Sequence, residues 1–142
     1  MLAVAMTAAQ PVPSPLSALL AKAGVERPVA GWCAGEFRPG RPGAYAVAIT
    51  ESPAGGRYLV VESDAGVFEL SGFEGGAELS CYSPAEARKV DETIRRSETI
   101  QGSITPEYPT TVVCGFVEDT SAVCWQYSPL KRAFVKVGGW VT

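Results

Sequence analysis

The chain has 142 residues, 46% of them hydrophobic and 19% charged, with 15 Gly and 11 Pro; that suits one domain with its own core and favours turns and short strands over long helices. Its 12 Lys and Arg against 15 Asp and Glu leave a formal charge of -3, which argues against a nucleic-acid partner, because that needs a basic footprint. No run approaches the ~18 apolar residues of a membrane span, and the absence of histidine removes the commonest general acid or base.

Met1 to Ala9 (MLAVAMTAA) reads as the later apolar stretch and small-residue cleavage zone of a secretory signal, without a basic region before it. The expectation is a start further upstream and processing near Thr7-Ala8-Ala9, before Gln10. Gln10 to Pro15 (QPVPSP) reads as an extended Pro-rich linker. Residues 1–14 are therefore assigned to a signal-like segment and linker, and 15–142 to a single globular domain.

Ser14 before Pro15 predicts an N-cap with Pro at the first helical position, and Leu16, Leu19, Leu20 and Ala23 form the apolar stripe of a short helix over about 15–23 that ends at Gly24. From Trp32 to Tyr82 short β-rich runs alternate with Gly and Pro: residues 32–37, 44–50, 57–62, 67–71 and 77–82. Ser52-Pro53-Ala54-Gly55-Gly56 and Ser63-Asp64-Ala65-Gly66 supply the turn chemistry between them. Ser83-Pro84-Ala85-Glu86 is a capping box that opens an amphipathic helix over about 84–97, with Ala87, Val90 and Ile94 on one face. Asp91 with Arg95 and Glu92 with Arg96 are i,i+4 pairs assigned to its exposed side. Gln101 to Pro109 is a loop or a short edge strand, and strands follow at 110–117, 122–127 and 133–137. The fold class is α+β: antiparallel β-meanders, one main helix and a short N-terminal helix, tied by two disulfides, with the second meander completing or facing the first sheet.

Cys33, Cys81, Cys114 and Cys124 are even in number and lack C-x-x-C spacing, which fits disulfides in an oxidising compartment better than a metal or a redox-active pair. A three-residue turn at Glu118-Asp119-Thr120 places Val117 opposite Ser121, Cys114 opposite Cys124 and Val113 opposite Trp125. It also sets Gly115 opposite Val123, beside the indole of Trp125, where the missing side chain leaves room for a ring. A turn longer by one residue would set Cys114 against Trp125 instead. Of the three possible connectivities, the first register favours Cys114 with Cys124 and leaves Cys33 with Cys81.

Residues 35–47, with Gly35-Glu36-Phe37, Pro39-Gly40, Gly43 and Tyr45-Ala46-Val47, loosely resemble the turn of FG-GAP-type calcium repeats. Arg38, Pro39, Arg41 and Ala44 stand where that family places Asn, Asp or other oxygen ligands, so the segment is read as a strand-loop-strand without metal. Trp125 and Tyr127 alternate on one strand and Trp140 lies outside the helices; the three are candidates for an aromatic platform that takes a glycan or peptide, with core packing as the alternative. Glu36, Glu62, Asp64, Glu69 and Glu118-Asp119 offer carboxylates, but no spacing brings two together. The glycine pairs do not have the spacing of a phosphate loop. No cofactor is implied.

These features point to a small exported protein, periplasmic or secreted, that acts as a non-enzymatic binding, inhibitor or accessory module on an unknown protein, peptide or glycan. A carboxylate-dependent hydrolase or transferase, which would need two acids sharing a cleft, and a structural module of an envelope assembly are the alternatives.

Overall fold

A computed structural model describes residues 11–64, 66–74, 78–118 and 120–142. The signal-like reading of Met1 to Ala9 and the processing point before Gln10 lie outside them. The described residues form α1 (Ser14–Lys22), β1 (Val29–Gly35), β2 (Ala44–Ser52), β3 (Gly55–Val61), β4 (Val67–Glu74), β5 (Leu79–Tyr82), α2 (Pro84–Arg96), β6 (Gln101–Ile104), β7 (Val112–Glu118), β8 (Ser121–Ser128) and β9 (Ala133–Val141). The protein is α+β, with an antiparallel sheet ordered β1-β2-β3-β4 and a second ordered β5-β7-β8-β9-β6.

The second sheet faces the first, and side-chain alternation decides which residues meet. Ala44, Ala46, Ala48, Tyr58, Val60 and Phe73 of the first sheet share a core with Val113 and Trp125 of the second. The opposite face of β2 and β3 carries Val47, Ile49, Leu59 and Val61, and α1 covers it with Leu16 and Leu20. Strand β2 is thus apolar on both faces because both are covered, which is why it reads as a continuous apolar run. On the outer face of the second sheet, α2 lays Ala87 and Ile94 over Val112, Cys114, Cys124 and Val137. The layers run helix, sheet, sheet, helix.

Helix α1 starts one residue earlier than expected. Pro13 is its N-cap and Ser14 its first residue, with no side-chain cap bond; the proline-fixed φ at position 13 supplies the entry geometry instead. At its other end Val25 N–H bonds the carbonyl of Leu20 and Gly24 N–H that of Ala21. With Gly24 at φ 75°, this is a Schellman stop. Helix α2 carries both halves of its capping box: Glu86 N–H donates to Ser83 Oγ at 3.1 Å, and Ser83 N–H to Glu86 Oε1 at 2.8 Å. The Ser83 bond holds the Glu86 carboxyl below its usual range.

Asp91 is not the solvated residue that its spacing suggested. Its Oδ2 takes Arg95 Nε at 2.7 Å, but its Oδ1 accepts the backbone N–H of Ile104 at 2.8 Å, tying α2 to β6. That second bond draws its pKa below the ordinary value. The helix therefore crosses the outer face of the sheet from one edge strand, β5, and fastens to the other, β6.

From β6 the chain must return past β9 and β8 to reach β7, and residues 105–111 make that crossing with few ladder partners for their backbone. The buried Gln126 amide supplies them. Its Oε1 accepts from Glu107 N at 2.8 Å and Tyr108 N at 3.3 Å, and its Nε2 donates to the carbonyls of Tyr108 at 2.9 Å and Thr110 at 2.8 Å. Both ends of the amide are satisfied, as burial demands.

The disulfides join Cys33 to Cys81 and Cys114 to Cys124. The first bridges the two sheets at their β1 and β5 edges; the second lies across neighbouring strands, with Val113 opposite Trp125 and Gly115 opposite Val123, as the turn arithmetic predicted. The turn itself differs, because the ladder shifts between Phe116 and Glu118 and pairs Glu118, not Val117, with Ser121. A bulge absorbs the extra residue. The ring that uses the gap at Gly115 is also a different one: a Cβ there would lie 2.7 Å from the ring of Tyr58, which comes from the opposite sheet. Strand β9 runs on through Gly138-Gly139 because Gly138 sits at φ 154°, where a Cβ would meet Ser103 O at 2.1 Å. The glycine lets β6 and β9 approach; it does not end the strand.

Candidate functional site

The three aromatic residues singled out from the sequence do not form one surface. Trp125 and Tyr127 point between the sheets and are buried; Trp125 packs 6.1 Å from Tyr58, and Tyr127 edge-on to Phe68 and Phe134 at 5.7 and 5.5 Å. Strand alternation places both on the covered face of β8. Trp140 stands on the other face of the same sheet, half-buried, with its ring edge-to-face against Phe116 at 6.3 Å and 87°. Trp32 packs against Tyr45 on the α1 side of the first sheet and donates its indole N–H to Pro11 O at 3.1 Å.

Around Trp140 the outer face of the second sheet is concave. A groove of about 240 Å³ is lined by Glu78, Ser80, Tyr82, Cys114, Gly115, Phe116, Ala122 and Trp140. Three features of the chain produce it. Ser80 and Tyr82 alternate outward on β5 opposite Cys114 and Val112. Ala122 lies opposite both Phe116 and Trp140 and contributes only a methyl between the two rings. The Cys114–Cys124 disulfide lies buried beneath. The exposed Glu78 extends the same edge, its carbonyl accepting from Phe116 N at 3.4 Å. Sequence reasoning missed Glu78, Tyr82 and Phe116; the alternation Glu78, Ser80, Tyr82 running into the Ser83 cap was the available signal for one open strand face.

A second cluster closes one end of the sandwich. Glu62 is 1% exposed and is held by Arg38, whose Nε lies 2.9 Å from both carboxylate oxygens and whose Nη2 also donates to it. The guanidinium lies 5.1 Å from the ring centroid of Phe68 and 5.4 Å from that of Tyr127. Arg41 reaches Asp64 in the next turn and holds that carboxyl below its usual range. The β1–β2 loop is thereby pinned by two ion pairs to the β3–β4 turn, the role its arginines play where calcium repeats would carry ligands.

Two further carboxylates, Glu51 and Glu69, share one arginine. Arg57 binds Glu51 at 3.0 Å and Glu69 at 3.1 Å. Glu51 and Glu74 do line one shallow, open concavity at the β2–β3 hairpin, with Gly55, Gly56 and Phe73. Because Glu51 is already bound to Arg57 and the surface is open, the pair lacks the two contrasting environments that acid-base chemistry uses. Asp119 lies outside the described residues. Among the described residues no three Asp, Glu or Cys side chains converge as a metal site. What the arrangement around Trp140 offers is contact: aromatic side chains, the hydroxyls of Ser80 and Tyr82, and the Glu78 carboxylate.

No family model matches the chain, and no curated protein or solved structure is significantly similar to it.

Proposed function

We propose that this chain is an exported, disulfide-tied binding module, periplasmic or secreted, that takes its partner in the groove around Trp140. The groove itself carries the reading: it gathers three aromatic side chains on a rigid sheet, above a covalent cross-link, on the part of that face beyond α2. Export is supported by the two bridges, which persist in oxidising compartments. No helix among the described residues is long and apolar enough to cross a membrane.

The test is a set of ¹H–¹⁵N spectra of the oxidised full chain titrated separately with glucose, N-acetylglucosamine, a capped Gly-Phe-Gly peptide and choline. Saturable shifts gathered at Tyr82, Phe116, Ala122 and the Trp140 indole carry the proposal; shifts gathered elsewhere, or none from any probe, overturn it. Intact mass of exported material before and after reduction tests the compartment, since both bridges should be present on export.

A further inference from the structure

We infer that the groove recognises an alkylammonium head group of the choline type, an assignment that rests on the groove being the binding site. Phe116 and Trp140 stand at 87° with centroids 6.3 Å apart, so their rings form a corner rather than a flat stack. Tyr82 lines the same space, and Ala122 leaves the floor between the rings low. Aromatic faces carry negative potential and attract cations, most strongly when the cation is weakly hydrated, as a quaternary ammonium is.

Charge points the same way. Glu78 is exposed at the groove and makes no salt bridge among the described residues, none of the groove's lining residues is Lys or Arg, and the whole chain carries -3. A cation entering the groove meets aromatic side chains and one carboxylate, with no competing positive group in the lining. Size selects the head group: about 240 Å³ lies below the roughly 300–1,000 Å³ typical of pockets for drug-sized ligands. A head group of choline size fits within that volume.

The decisive comparison is choline against 3,3-dimethylbutan-1-ol, its uncharged carbon analogue of nearly the same shape, with the Trp140 indole N–H and the Phe116 and Ala122 amides as reporters. Choline should shift all three saturably and bind roughly tenfold more tightly than the neutral analogue, the scale of a cation held by aromatic faces and one carboxylate. Glu78→Gln, at an exposed position, should weaken choline several-fold with the melting temperature unchanged. Trp140→Leu, which keeps the site apolar, should reduce the preference for choline over the alcohol. Equal binding of the two overturns the ammonium assignment and leaves the groove standing as an apolar site. Silence from both, with a sugar or the capped peptide shifting the same residues, does likewise. Binding of a trimethyl-lysine peptide without binding of choline overturns the free head group as ligand. Silence from every probe removes the groove reading altogether.

Discussion

Tyr58 and Gly115 touch across the two sheets: the phenol ring occupies the place where a side chain at position 115 would begin, 2.7 Å from the site of its missing Cβ. The hydroxyl continues past the glycine to donate to Phe116 O at 2.5 Å and lies 3.1 Å from Glu78 O. Burial pushes its pKa up to about 12. Gly115→Ala must move that ring or the strand, and overpacking of this kind costs about 1–3 kcal/mol. Urea unfolding should show that loss in full for Gly115→Ala, and much less of it when Tyr58 is first shortened to Leu. Equal losses in the two backgrounds would mean that the ring is not what the methyl meets.

That contact marks where the sequence stops being informative. The need for space at Gly115 is visible in the expected register that sets Cys114 against Cys124, which the folded hairpin reaches through the bulge between Phe116 and Glu118 rather than through the turn alone. The ring that fills the space comes from Tyr58, on a strand of the other sheet, and no local pattern reports that. The same division runs through the molecule. Ser83 and Glu86 form a cap from contacts three residues apart, and the disulfide pairing found is the one that the favoured of two hairpin registers pointed to. Asp91 reads as a surface residue and nothing in the local pattern marks Gln126, because their backbone partners, Ile104 and residues 107–110, become neighbours only when the sheet assembles. Trp125 and Tyr127 were candidates for a platform because alternation gives a face but not which face is covered. The groove combines residues of β5, β7, β8 and β9, so its walls were legible singly and its shape was not.

The two disulfides should contribute unequally. In the chain-entropy account, closing the 48-residue separation of Cys33 and Cys81 contributes about 4 kcal/mol and the 10-residue separation of Cys114 and Cys124 about 3 kcal/mol. The longer bridge also joins the two sheets, whereas the shorter one spans strands already paired. Replacing Cys33 and Cys81 by alanine should lower the melting temperature more than replacing Cys114 and Cys124, as differential scanning fluorimetry of the two double variants would show. The reverse order would place the main gain in local packing against α2.

Arg38 and Glu62 form a pair whose halves are worth less apart than together. Removing the guanidinium with Arg38→Ala leaves a carboxylate 1% exposed without its partner, and stranding a buried charge costs about 3–5 kcal/mol. Replacing both residues by apolar ones of similar size, Arg38→Met with Glu62→Leu, removes the stranded charge and should recover most of that loss. A chemical-denaturation double-mutant cycle measures the coupling. Additive losses would show that the ion pair is not what holds the β1–β2 loop to the end of the sandwich.

Asp91 gives the fold an acid-sensitive clasp. Its carboxylate receives the backbone N–H of Ile104, and this bond, followed by that of Arg95, lowers its pKa below the ordinary value of 3.8. A carboxyl that binds protons more weakly when folded stabilises the native state above its unfolded pKa, and loses that contribution as pH falls through the folded one. Asp91→Ala should therefore cost about 2 kcal/mol near neutrality, because the amide of the buried Ile104 loses a charged acceptor. Asp91→Asn, which keeps a neutral acceptor, should cost less. In both cases the gap to the native chain should be constant above about pH 5 and close progressively below about pH 4 as the native carboxyl protonates. Glu86 and Asp64 also have lowered pKa values, so the native chain weakens in acid for more than one reason. The difference between native and variant isolates Asp91, and a gap that stays constant down to pH 2 would assign the loss to packing rather than to the charge that clasps α2 to the far edge of the sheet.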